Sequence, residues 1–292
     1  MTEREQRAGI LRSAGLVSGL TGLSRVLGFV REILMAVAFG TSLAKSAFDV
    51  AFRIPNLFRR LFGEGALSAA FIPVFASALE REGLEAAQTL ARRIATMLAT
   101  ALLAIVAGVI IIAAVLLTSA DLGVRVRAVL PLLQIMMPYM FFICLVAFCM
   151  ALLNTFHHFA LPAATPVLLN LVWIAVLILI CPRMGDAPSE RIYGVAWGIV
   201  GAGVLQLAVQ IPVLARYGVT LRPVFRWRDA RVRKVLWLMA PAALGMGVMQ
   251  VNVLLDGVLA LWVGSWAPAA LTYAERLIYL PLGLFGTDMG TV

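Results

Sequence analysis

Four arginines sit in stretches that are otherwise apolar: Arg25, Arg31, Arg59 and Arg276. A charge at the centre of a membrane helix costs about 2.5–3.5 kcal/mol on insertion scales unless it faces a cavity or a partner. Arg25 and Glu32 are seven residues apart in Ser24-Arg25-Val26-Leu27-Gly28-Phe29-Val30-Arg31-Glu32, so they share nearly one helical face. Arg31 lies about 120° away by helical geometry. One reading is internal salt bridging, or snorkelling of Arg31 at an interface. The sharper reading is a helix that lines a hydrated, positive cavity. Arg276, in Tyr273-Ala274-Glu275-Arg276-Leu277-Ile278-Tyr279, shares a face with Tyr279 and strengthens that reading from far away in the chain. The planar guanidinium fork suits bidentate binding of phosphate. The implied ligand is an anion, a phosphate or pyrophosphate, and its apolar surroundings suit a lipid tail.

A polar stripe at 3-4 spacing runs through Ser46, Asp49, Arg53, Asn56 and Arg60. Asp49 and Arg53 form an i,i+4 pair, which is structural more often than functional. Pro55 should kink this helix and shift its phase. Arg59 then turns inward while Arg60 stays at the cytoplasmic surface; the alternative for both is topology signalling alone. Asp256 either pairs with a buried arginine or binds a cation. His157 and His158 are adjacent, so they point apart on a helix, and neither has a third ligand nearby for a metal. Cys144, Cys149 and Cys181 lack metal-like spacing; the first two lie in one apolar helix and read as core residues. No nucleotide-binding P-loop, nucleophile elbow or zinc motif is present, so an enzyme or ATP-driven pump is not expected.

These residues need a scaffold, and the composition names its class. Of the 292 residues, 62% are hydrophobic and 13% charged, against about 45–50% and 25% in soluble domains. Apolar runs of bilayer length define a polytopic membrane protein, and they are too continuous for barrel strands. The expected fold is therefore all-α. Eight spans are read at about 14–39, 44–62, 92–118, 129–153, 162–181, 191–215, 235–263 and 270–290. A shorter apolar piece from Gly65 to Ala78 reads as an amphipathic or re-entrant helix. With the N-terminus inside, fifteen Lys and Arg fall on the inner side against five outside, Lys45 among the five. That bias predicts a cytoplasmic N-terminus and explains much of the net charge of +9 without nucleic acid. The expected domains are a six-helix lobe at 1–216, a basic cytoplasmic linker at 217–234 and two helices of an incomplete second lobe at 235–292. No cleavable signal peptide is evident. Transporters are often built from paired repeats, so the chain reads as part of a longer transporter.

Ser24-Arg25-Val26-Leu27-Gly28-Phe29-Val30-Arg31-Glu32, followed by Phe52-Arg53-Ile54-Pro55-Asn56-Leu57-Phe58-Arg59-Arg60-Leu61-Phe62-Gly63-Glu64-Gly65-Ala66, resembles the MurJ (MviN) lipid II flippase family. Leu153-Asn154-Thr155-Phe156, Pro166-Val167-Leu168-Leu169-Asn170 and Tyr273-Ala274-Glu275-Arg276-Leu277 match it in colinear order. The resemblance implies the multidrug/oligosaccharidyl-lipid/polysaccharide flippase fold, with two six-helix lobes around a positive cavity. It implies movement of lipid II, an undecaprenyl-pyrophosphate-linked disaccharide pentapeptide, from the inner to the outer leaflet of the bacterial cytoplasmic membrane by alternating access. Coupling to ions or membrane potential is implied, with no cofactor. By motif, the family's cavity arginines correspond to Arg25, Arg31, Arg59 and Arg276, and its Pro-Asn pair and following acid to Pro55, Asn56 and Glu64. The acid common near the start of the second span falls at Ser46 here, with Asp49 one turn later as the candidate substitute. The chain has eight spans where the family has fourteen.

The resulting expectation is a substrate site at Arg25, Arg31, Arg59 and Arg276. Glu32, Asp49, Arg53, Asn56, Glu64, Asp256 and Glu275 balance those charges or gate the cavity. Expected partners are lipid II, membrane lipids and other cell-wall synthesis proteins. Competing readings are another polyprenyl-linked oligosaccharide flippase, a drug/cation antiporter (disfavoured by the arginine-rich cavity), an enzyme acting on polyprenyl phosphates, and a cell-wall scaffold.

Overall fold

A computed structural model of the chain describes residues 3–63, 66–119, 122–225 and 230–289. All regular structure among these residues is helical. In chain order the elements are α1 (Glu3–Phe39), α2 (Leu43–Gly63), α3 (Ala66–Glu82), α4 (Leu84–Leu117), α5 (Val124–Thr155), α6 (Ala160–Ala175), α7 (Pro188–Arg216), α8 (Ala230–Val263) and α9 (Ala267–Met289). α6 runs on through a π-helical turn at Val176–Ile180 and a 3₁₀ turn at Cys181–Arg183. In lipid, the backbone must satisfy its own hydrogen bonds, and helices do so within each segment.

Among the described residues, five segments are long and apolar enough to cross a bilayer: Leu84–Leu117, Val124–Thr155, Ala160–Arg183, Pro188–Arg216 and Leu244–Val263. Arg25, Arg31 and Glu32 interrupt the apolar sequence of α1, and Lys45, Asp49, Arg53, Arg59 and Arg60 that of α2. The chain is an integral membrane protein. The piece read from Gly65 to Ala78 is part of α3, whose 17 residues span about 26 Å. α3 buries Leu67, Ala70, Phe71, Val74, Phe75 and Ala78.

α5 is the central post. It packs against α2, α4 and α7, and two thirds of its apolar window (67%) is buried, against 17% in α4 and 11% in α8. Large apolar side chains on α4 and α8, such as Ile111, Leu244 and Trp262, are exposed, as expected where helices meet lipid tails. Phe71 and Phe75 of α3 form one aromatic cluster with Phe148 of α5, the Phe71 and Phe148 centroids 4.8 Å apart. Cys144, Cys149 and Cys181 are buried free thiols.

Close approach of α5 and α7 depends on Gly203. A Cβ there would lie 2.9 Å from Tyr139 Cδ2 and 3.1 Å from Phe142 Cβ. Small residues allow such packing where no hydrophobic force joins helices inside lipid. Gly203→Leu is expected to lower stability by about 1–3 kcal/mol through overpacking, read as a lower melting temperature in detergent. Polar side chains join α6 to α7: Gln206 Nε2 donates to the Thr165 carbonyl (2.7 Å) and Gln210 Nε2 to Thr165 Oγ1 (3.0 Å).

Gly40 ends α1 at φ +53°, the left-handed geometry that glycine takes at a helix C-terminus. Its N–H donates to Ala36 O (2.9 Å) and its carbonyl accepts from Tyr273 Oη (3.0 Å), which ties the α1–α2 turn to α9. After α7, the chain folds back on α4: Gln88 Nε2 donates to Gly218 O (2.6 Å), Arg92 Nε to Thr220 O (3.0 Å), and Val224 N to Thr96 Oγ1 (2.8 Å).

Candidate functional site

α1, α2, α5, α6, α7, α8 and α9 enclose a cavity of about 800 Å³, within the range of ligand pockets. α1 brings Ser24, Arg25, Arg31 and Glu32 to its wall; α2 brings Lys45, Asp49, Arg53, Asn56, Arg59 and Arg60; α9 brings Glu275 and Arg276. Among the described residues, seven cationic side chains line it against three carboxylates, a formal excess of four positive charges.

Arg31 is the most engaged of the cations. It is 8% exposed. Its Nη1 donates to Asn170 Oδ1 (2.9 Å), its Nη2 donates to Glu32 Oε1 (3.0 Å), and its guanidinium carbon lies 4.3 Å from the centroid of the Trp173 ring. Asn170 is itself held, its Nδ2 donating to Ser24 O (2.9 Å) and Ser24 Oγ (3.3 Å). Glu32 Oε1 also pairs with Arg276 Nε at 3.5 Å, although the Arg276 side chain remains 56% exposed. Glu32 therefore bridges a buried arginine on α1 and an exposed one on α9. Consecutive residues point apart on a helix, but the long arginine side chain reaches back to its neighbour.

On α2, Lys45 Nζ donates to both carboxylate oxygens of Asp49 (2.7 and 2.6 Å) and lies 4.7 Å from the Tyr273 ring centroid. Arg53 Nη1 donates to the Val253 carbonyl of α8 (2.6 Å), and Arg59 Nε to Asn56 Oδ1 (2.8 Å). Ser46 Oγ accepts from the Ala269 N–H of α9 (3.3 Å).

The structure corrects two readings and adds to a third. The ion-pair partner of Asp49 is Lys45, not Arg53; a flexible ammonium one turn earlier reaches both carboxylate oxygens, while Arg53 turns to α8. Lys45, counted as an outside charge, is 1% exposed and lines the cavity. Arg60, placed at the surface, lines the cavity together with Arg59, and α2 stays helical through Pro55. The other candidates fall as follows. Arg25 and Glu275 line the cavity, whereas Asp256 is exposed on α8 and does not. Glu64 lies outside the described residues. Sequence reasoning missed Lys45, Tyr139, Asn170, Trp173 and Gln206 as cavity residues. Asn170 and Gln206 had a usable signal, since each is a polar residue inside an apolar run.

The fold and cavity define a polytopic helical membrane protein built around a cationic cavity. The chain belongs to the lipid II flippase MurJ family, whose model matches residues 35–292. The lipid II flippase MurJ of Burkholderia cenocepacia is 37% identical over 97% of this chain and 56% of its own length. The probable lipid II flippase MurJ of Haemophilus influenzae is 37% identical over 94% of this chain and 55% of its own. The chain thus spans about half the length of the curated relatives it matches. A solved lipid II flippase MurJ in an inward closed conformation superposes with a TM-score of 0.77 at 26% identity, covering 92% of this chain and 56% of that one. A MOP superfamily transporter from Pyrococcus furiosus has a TM-score of 0.65 at 14% identity, over 92% and 60% of the two chains; that likeness shows the fold.

Proposed function

We propose that this chain forms the N-terminal part of a lipid II flippase, with its substrate-binding cavity, moving the precursor from the inner to the outer leaflet of the bacterial cytoplasmic membrane. Residues 1–216 would make the first lobe, 217–234 its cytoplasmic linker and 235–292 the start of the second lobe, with the N-terminus cytoplasmic. The observation that carries the reading is the concentration of cationic side chains around one cavity. Arg25, Arg31, Arg59 and Arg276 supply the donors for a pyrophosphate, and their excess charge compensates its negative charge. Glu32 holds both Arg31 and Arg276. A pyrophosphate that competes for Arg276 loosens the α1–α9 tie, which couples binding to lobe movement. Ion gradients or membrane potential would set the direction of that movement.

The test is equilibrium binding of lipid II to the purified chain in nanodiscs, with phosphatidylglycerol as the control anionic lipid. Saturable binding of lipid II alone is expected. No preference over phosphatidylglycerol would defeat the reading. Three of the four arginines, Arg25, Arg59 and Arg276, are exposed or half-exposed and are screened by salt, so affinity is expected to fall about tenfold or more between 50 mM and 500 mM NaCl, as titrations at the two salt concentrations would show. A salt-independent affinity would contradict a pyrophosphate site.

A further inference from the structure

The cationic side chains of the cavity account for a pyrophosphate but not for the uncharged polar groups gathered beside them. Five buried polar atoms without a hydrogen-bond partner among the described residues belong to cavity-lining side chains. They are Tyr139 Oη, Trp173 Nε1, Gln206 Oε1, Arg31 Nε and Glu32 Oε2. An unmade hydrogen bond at a buried group costs about 1–3 kcal/mol, and most such groups in folded proteins are satisfied. Their accumulation around one cavity points to groups that are satisfied by a ligand.

The chemistry of the set is specific. Tyr139 and Trp173 offer uncharged donors, and Gln206 offers an uncharged acceptor. The three come from α5, α6 and α7, and they are 0%, 5% and 1% exposed. Phe52 joins two of them, its ring centroid 5.9 Å from that of Tyr139 and 5.6 Å from that of Trp173. A phosphate has no donor to give to Gln206 Oε1, and a lipid tail has neither donor nor acceptor. A sugar carries hydroxyl and acetamido groups that donate and accept, beside C–H faces that lie well against an indole. In the present arrangement the Arg31 guanidinium covers the Trp173 ring. An arginine drawn onto a pyrophosphate uncovers that ring.

We infer that Tyr139, Trp173 and Gln206 form a subsite for the uncharged, hydroxyl- and amide-bearing sugar portion of a polyprenyl-pyrophosphate-linked substrate. Arg31 acts as its cover until the pyrophosphate binds. This inference rests on the flippase reading above and adds what the site selects beyond the pyrophosphate. The subsite makes the cavity a reader of the glycan, so that sugar-free polyprenyl pyrophosphate is a weaker ligand.

The experiment compares lipid II with undecaprenyl pyrophosphate, which lacks the sugars, on the full chain in nanodiscs. The variants are Trp173→Phe, which loses only the N–H and ring size, Tyr139→Phe, which loses only the hydroxyl, and Gln206→Met. The wild-type chain should prefer lipid II. Each variant should shrink the ratio of the two affinities by about three- to tenfold, the loss expected for one hydrogen bond. A ratio that stays at the wild-type value in Tyr139→Phe and Trp173→Phe overturns the subsite while leaving the pyrophosphate reading intact. Equal weakening of both ligands in every variant shows a packing role and also overturns it. Failure of the wild-type chain to bind either ligand defeats the flippase reading, and the subsite with it.

Discussion

Arg31→Ala is expected to weaken lipid II binding by about 10- to 100-fold, the loss that follows from removing one or two charge-assisted hydrogen bonds of about 1.5–3 kcal/mol each. Arg31 is the buried hub of the cavity, shared by Asn170, Glu32 and Trp173. Its loss leaves Glu32 with Arg276 as ion-pair partner, so the carboxylate keeps a compensating charge and the fold keeps its α1–α9 tie. Arg31→Lys separates charge from geometry. It retains a cation but not the planar fork that spans two acceptors, and its affinity should fall between wild type and Arg31→Ala. Lipid II titrations at one salt concentration check both variants, with melting temperature recorded for each. An Arg31→Ala chain that stays folded and binds lipid II at wild-type affinity would remove Arg31 from the site.

The largest stability effect is expected at Asp49. Lys45 and Asp49 are 1% and 9% exposed at their side chains and bond each other through both carboxylate oxygens. Removing one member of a buried pair leaves an uncompensated charge and costs about 3–5 kcal/mol. Asp49→Asn should therefore destabilise the chain, lowering its melting temperature by on the order of 10 °C. The double variant Lys45→Met with Asp49→Leu removes both charges and should recover most of that loss, because an apolar replacement of a buried pair is often neutral. Thermal melts of the single and double variants decide the point. If Asp49→Asn melts with wild type, Lys45 has another partner, and the pair does not anchor α2 beneath Tyr273.

The chemistry of the cavity was legible where charge and hydropathy disagree. Arg25, Arg31, Arg59 and Arg276 stand out because a guanidinium in an apolar run demands a partner or water, and all four line the cavity. Glu32 was legible as a neighbour of Arg31 but not as a bridge to Arg276, since that contact joins α1 to α9 across most of the chain. Lys45 was misread because it sits two residues into α2, where a position at the membrane edge and a buried position look alike in sequence. Trp173 and Tyr139 were invisible as site residues: an aromatic among Leu, Val and Met reads as core, and only the packing of α5 and α6 around Phe52 turns them toward one cavity. The helices themselves were largely legible, since five of the eight spans read from hydropathy coincide with the apolar helices. Charge in α1 and α2 that lowers their hydropathy is the same charge that builds the site.

The most direct test is where the headgroup of lipid II sits. A photo-crosslinking residue placed at Ile143 or Phe29, which line the cavity, should capture labelled lipid II. Excess unlabelled lipid II should suppress the product, and Arg31→Ala should reduce it. The same residue at Trp262, exposed on the outer face of α8, should give little specific product. Capture at Trp262 alone, or equal capture at all three positions that unlabelled lipid II does not suppress, would contradict a substrate site inside the arginine-lined cavity.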